Sequence, residues 1–141
     1  MENFNVLFKR LSLPAVCFAV ALIAVAGCNT IENNYLNPED FASYLRRNGV
    51  EVTGEPRPLP GSPFDASSGC AIMVGNSEIG VYKFDQSVRP IAERLKQVKQ
   101  SERLYINGIP YPVEVRGSFV IMGLEKNKKK HEILRVFDKF Y

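Results

Sequence analysis

The stretch from Ala71 to Val98, AIMVGNSEIGVYKFDQSVRPIAERLKQV, switches from one periodicity to another. Ala71–Val74 and Ile79–Phe84 are apolar, β-prone runs joined through Gly75-Asn76-Ser77, which predicts a β-hairpin. Beyond Asp85 the spacing lengthens. Val88, Ile91, Ala92, Leu95 and Val98 recur at i, i+3, i+4, i+7 and i+10, the stripe of an amphipathic helix. Arg89, Glu93, Arg94, Lys96 and Lys99 cover its other side. Ser87 is placed to cap this helix, with Pro90 inside the first turn.

The same reading extends in both directions. Upstream, Asn37 reads as an N-cap, Pro38 as N1, and Glu39 and Asp40 put negative charge at the positive end of a helix dipole. Phe41, Tyr44 and Leu45 form its apolar stripe. Gly49 stops it, and Val50 makes the apolar contact that follows a glycine cap. Val50 and Val52 open a short strand. Pro56, Pro58, Pro60, Gly61 and Pro63 then argue for a long proline-rich loop over residues 55–69. Downstream, Leu104 and Ile106 lead to Asn107-Gly108, a strong two-residue hairpin signal. Pro110 and Pro112 cannot donate to a ladder, so they belong at a sheet edge or outside the sheet. Val113 and Val115 run to a turn at Arg116-Gly117, and Ser118–Leu124 is a strongly apolar strand. Asn127 is placed to cap a last helix whose Ile133, Leu134, Phe137, Phe140 and Tyr141 face inward.

The order is α-β-long loop-β-β-α-β-β-β-α. It predicts an α+β domain over residues 37–141, an antiparallel sheet of about five strands with three amphipathic helices packed on one face. At 141 residues, 45% apolar and 23% charged, the composition is that of one globular domain. The net charge of +3 is too even to imply nucleic-acid binding. A single histidine, His131, argues against a histidine-rich metal site.

The first 27 residues differ in kind. Lys9 and Arg10 precede a 16-residue apolar run, Leu11–Ala26, broken only by Ser12 and Pro14. A membrane-spanning helix needs about 20 apolar residues. A charged start, a short apolar core and small residues at its end describe an export signal. The run ends in Val25-Ala26-Gly27-Cys28.

That tetrad resembles the lipobox of bacterial lipoproteins, in which an aliphatic residue, a small residue and Gly or Ala precede the Cys. The resemblance covers residues 1–28 only. It implies that a diacylglycerol is attached to the Cys28 sulfur, that a peptidase which recognises Val25, Ala26 and Gly27 cleaves before Cys28, and that the new amine is acylated. The chain then divides into a cleaved signal at 1–27, a lipidated tether at 28–36 and the domain. Two or three acyl chains, at about 0.8 kcal/mol per buried methylene, anchor permanently. Asn29 is not the Asp that holds such proteins in the inner membrane. The resemblance therefore implies the outer membrane in a Gram-negative cell, and otherwise the outer face of the cell membrane. The alternative is an uncleaved signal anchor in which Cys28 is incidental. On the lipoprotein reading Cys17 leaves with the signal and Cys28 is lipidated. Only Cys70 then remains, and it reads as a small buried residue at the start of a strand.

Lys128, Lys129, Lys130 and His131 stand where the last helix begins, and Lys126 adds to them. Cations there oppose the helix dipole. The specific reading is a site for an anion such as a lipid head group, and the plain one is a solvated basic face. Tyr105, Tyr111 and Phe119 offer either a docking surface for a partner strand or ordinary sheet packing. Cys70 with His131 as nucleophile and base has no flanking motif behind it. No GxSxG turn, HExxH helix or phosphate-binding glycine loop occurs. The sequence thus argues for a lipid-anchored envelope protein, non-enzymatic and without cofactor or metal, that binds or supports an envelope partner. The alternatives are a binder of an anionic envelope ligand through Lys128–His131 and, last, a small thiol or hydrolytic enzyme.

Overall fold

The computed structural model describes residues 34–61 and 64–140. The signal segment, Val25, Ala26, Gly27 and Cys28, and Tyr141 lie outside the described residues.

Among the described residues three helices and six strands follow one another, with three strands between successive helices. They are α1 (Pro38–Arg47), β1 (Val52–Leu59), β2 (Ser68–Val74), β3 (Ser77–Lys83), α2 (Arg89–Ser101), β4 (Arg103–Ile106), β5 (Ile109–Arg116), β6 (Phe119–Met122) and α3 (Lys130–Phe137). The strands form one antiparallel sheet in the order β1-β2-β3-β6-β5-β4. The α+β class and the element order are as the sequence predicts.

α1 forms for the reasons its sequence states. The Asp40 carboxylate accepts from the Asn37 amide at 2.7 Å and closes the N-terminus. At the other end Gly49, at φ +79°, lets the Val50 amide reach the Leu45 carbonyl at 3.0 Å and its own amide reach Arg46 at 3.1 Å. That pair of bonds is a Schellman cap, and Val50 is buried behind it.

Two expectations are corrected here. The sheet has six strands, and the helices do not share a face. Cys70, Ile72, Val74, Ile79, Val81, Phe119 and Ile121 pack with α1 and α3 in one cluster. Tyr82, Phe84, Val113 and Val120 pack on the opposite side with Leu95 and Val98 of α2. Alternate residues of a strand point to opposite faces, so consecutive buried residues mean a sheet covered on both sides. Phe119, Val120 and Ile121 are all buried.

The prolines are corrected too. β1 runs through Pro56 and Pro58 to Leu59 and β2 starts at Ser68, so both ends of the expected 55–69 loop are strand. β1 is the outermost strand and pairs only with β2, through a register irregularity between Thr53 and Arg57. An edge strand tolerates missing donors on its open side. In β5 the reason is different. Asn107 and Gly108, at φ +50° and +81°, make the expected two-residue hairpin turn. The flanking pair Ile106–Ile109 is then hydrogen-bonded, and so is Leu104–Tyr111. The Val113 amide follows the same parity and donates to Glu102 at 3.0 Å. Pro110 and Pro112 therefore present their nitrogens to the β6 side. β6 pairs with β5 only from Val113 to Arg116 and has ended by then.

On the α2 face, the Tyr82 ring lies over Gly69 and Gly80. A Cβ on Gly69 would stand 2.6 Å from Tyr82 Cδ1. Phe64 then meets Tyr82 edge-on at 4.6 Å between centroids. On the other face Phe140 joins α1 to β6, its ring 5.0 Å from Phe41, 5.4 Å from Tyr44 and 5.3 Å from Phe119. The Tyr44 hydroxyl donates to the Lys139 carbonyl at 2.9 Å, which holds the end of the chain against α1.

Truncating that hub tests the packing. Phe140→Ala should lower the unfolding free energy by about 3–5 kcal/mol, the usual loss for a buried phenylalanine. Urea unfolding reads it as an earlier midpoint at constant slope. A loss below about 1 kcal/mol would show that the ring does not join the elements.

Candidate anion-binding cleft

The basic cluster sits where β6 hands over to α3. Gly123, at φ +84°, turns the chain off the sheet. Leu124 buries in the α1–α3 core. Asn127 is buried, 5% exposed, and is the pivot of the loop. Its Nδ2 donates to the Val74 carbonyl at the end of β2, at 3.2 Å. Its Oδ1 accepts from the Lys129 amide at 2.8 Å. Asn127 is thus a bracket between loop and sheet and not the N-cap of α3. α3 begins at Lys130 behind Lys129, which makes no side-chain cap bond. Ser87 is likewise no N-cap of α2. Its amide and hydroxyl donate to Asp85 Oδ1 at 2.9 and 2.6 Å, and Val88 takes the cap position. Those two bonds, the hydroxyl first, hold the Asp85 carboxyl below its ordinary range.

The bracket presses the loop against the β2–β3 turn, where Gly75 stands at φ +59°. Between them lies a cleft of about 400 Å³, lined by Lys126, Lys128 and Lys129 on one side and by Glu51, Thr53, Asn76 and Ser77 on the other. Lys129 Nζ is 2.9 Å from Glu132 Oε1, a partly exposed pair one turn apart. Such pairs contribute about 0–1 kcal/mol, so the ammonium stays available to an incoming anion. Lys126 and Lys128 make no ion pair among the described residues. Three cations against Glu51, beside hydroxyl and amide donors, suit an oxyanion.

The structure divides the four residues read from the sequence. Lys128 and Lys129 line the cleft. Lys130 and His131 do not; Lys130 lies near Glu114, whose carboxyl is raised by burial first and by Glu102 second, against the opposing pull of Lys130. Lys126 joins the site, and its neighbours from the β2–β3 turn came with no sequence signal beyond turn chemistry.

The three aromatics of the expected docking surface also separate. Phe119 is wholly buried beneath α1 and α3. Tyr105 is 57% exposed and Tyr111 38%. Tyr105 pairs with Pro110 and Tyr111 with Leu104, neighbouring positions of alternating strands, so the two rings lie on opposite faces.

Cys70 is wholly buried in the α1–α3 core. Burial, with the Glu39 charge adding, pushes its thiol up to about 12. A thiol that keeps its proton is a poor nucleophile. His131 is exposed on α3. Among the described residues no group of three or more His, Cys, Asp or Glu stands close enough to hold a metal ion, and no helix is long and apolar enough to cross a membrane. No family model, no curated protein and no solved structure matches the chain.

In native buffer Cys70, followed by peptide mapping, should resist thiol reagents and react once urea is added. Its unfolded thiol ionises near 9.0 and its folded thiol near 12. Between those values the folded state binds more protons, so stability falls as pH rises. Cys70→Ala should remove that part of the slope. Rapid labelling of the folded chain, or an unchanged slope, would contradict the burial.

Proposed function

We propose that the chain is a lipid-anchored protein of the bacterial cell envelope, a non-enzymatic module that presents its α+β domain to an envelope partner or ligand. The observation that carries this is the run Leu11–Ala26 ending in Val25-Ala26-Gly27-Cys28. The apolar segment is short for a permanent span, and a thiol at that junction supplies the only side chain able to form the thioether. Membrane lipid is the partner through the acylated Cys28. By the same resemblance, Asn29 in place of Asp implies the outer membrane in a Gram-negative cell and otherwise the outer face of the cell membrane. The domain has what such a role asks: a two-faced core that needs no disulfide and a charged cleft at one end.

A second reading has its own support. Lys126, Lys128 and Lys129 converge on one cleft, which favours a binder of an anionic ligand over a merely solvated face. The third, a small thiol or hydrolytic enzyme, has no such convergence behind it, since the thiol of Cys70 is held protonated.

Cells expressing the chain and fed radiolabelled palmitate should label it, and the mature protein should lack residues 1–27 and carry the mass of its acyl chains. Cys28→Ser should abolish the label and leave the precursor uncleaved. A product that retains Met1, or that labels equally with Cys28→Ser, would overturn the assignment.

A further inference from the structure

The cleft and the chain junction at Asn34 stand at opposite ends of the domain. Along β3, Ser77 lines the cleft and Lys83 closes the far end. Six residue steps at about 3.3 Å separate them by about 20 Å. The β2–β3 register shows that this is the length of the sheet, with Val74 opposite Ser77 and Ser68 opposite Lys83. At the far end Lys83 Nζ donates to the Asn34 carbonyl at 2.6 Å, which fixes where the chain joins the domain. α1 gives the same direction independently. It starts at Pro38, near that junction, and its C-terminus leads through Val50 to Glu51 in the cleft.

Six residue steps lead from Cys28 to Asn34. Such a chain spans about 13 Å at rest and about 20 Å drawn out fully. It leashes the Lys83 end to the bilayer surface. With that tether at rest, the lysines reach the surface only when the domain tips until its cleft end lies below the Asn34 junction. Head-group charge is screened within a Debye length of about 8–10 Å, at most half the length of the sheet.

We infer that the lysine cleft takes a phosphate or carboxylate oxyanion presented away from the anchoring leaflet, not the head groups of that leaflet. This rests on the two readings proposed above, the Cys28 anchor and the anion cleft, and adds the source of the ligand. The three ammonium groups, with Asn76 and Ser77 as neutral donors, recognise the oxyanion itself. Its carrier is therefore a soluble or polymer-borne anion of the envelope space.

The test uses the full lipidated chain in phosphatidylcholine vesicles, with and without phosphatidylglycerol, and inorganic pyrophosphate as the probe. Calorimetric titration should show binding that weakens at least about ten-fold with Lys126→Ser, Lys128→Ser and Lys129→Ser combined. Adding phosphatidylglycerol should leave the affinity within about two-fold, because the cleft lies beyond about two Debye lengths. In parallel, a fluorophore on Asn34→Cys should be quenched by a head-group quencher several-fold more strongly than one on Asn76→Cys. Loss of pyrophosphate binding on adding phosphatidylglycerol, or equal quenching at both positions, would place the lysines on the leaflet and overturn this inference while leaving the cleft an anion site. Absence of pyrophosphate binding, or binding indifferent to the serine substitutions, would overturn the cleft reading itself. A chain that does not stay with the vesicles would overturn the anchor.

Discussion

Val120 and Ile121 are neighbours in β6, both wholly buried, and they face opposite cores. That pair states the constraint on the whole fold. A strand at the centre of a sheet with two apolar faces exposes one of them unless something covers each side. α1 and α3 cover one face and α2 the other. Full burial of a large apolar side chain contributes about 1.5–3 kcal/mol, so neither layer can be omitted from a chain this short. The same constraint explains the path. After β3 the chain crosses to the far face for α2, returns as β4 and β5, enters the centre as β6 and closes the first face with α3.

The edges follow from what the centre leaves over. β1 and β4 are the outer strands, and open strand edges invite pairing with other chains. Prolines and charge blunt β1, where Arg57 reaches across β2 to both Glu78 oxygens on β3, each at 3.1 Å. β4 is only four residues long. In β5 the two prolines occupy the half that β6 no longer reaches, so the gap offers no donors to an incoming strand there. The two ends of the sheet are also unlike. One carries the chain junction at Asn34 and Lys83, and the other the hairpin turn against which Asn127 sets the lysine loop.

Much of this was legible in the residues. Helical spacing in Val88–Val98, the Asn37 and Gly49 boundaries and the Asn107-Gly108 turn are local chemistry, and local chemistry is what a sequence displays directly. The assignment of faces was less legible. An amphipathic stripe tells that a helix packs, not which side of a sheet it packs on. The signal was nevertheless present in the unbroken runs Ala71–Val74 and Phe119–Met122, which do not alternate as a strand with one wet face would. Pro56 and Pro58 misled because a proline excludes a central strand but not an edge, and edge position is a long-range property. Of the candidate site, Lys128 and Lys129 were readable as a charge run. Their separation from Lys130 and His131 depends on Asn127 reaching Val74, 53 positions earlier, and no local pattern encodes that.

If burial on both faces governs the fold, amide protection must be graded from the centre of the sheet outwards. Native-state hydrogen exchange measures this residue by residue. The account predicts that the amides of Val81, Val120 and Ile121 exchange only through global unfolding, while those of β1 and β4 open by smaller fluctuations. Exchange in β3 and β6 as fast as in β4, with the rest of the domain still protected, would contradict it.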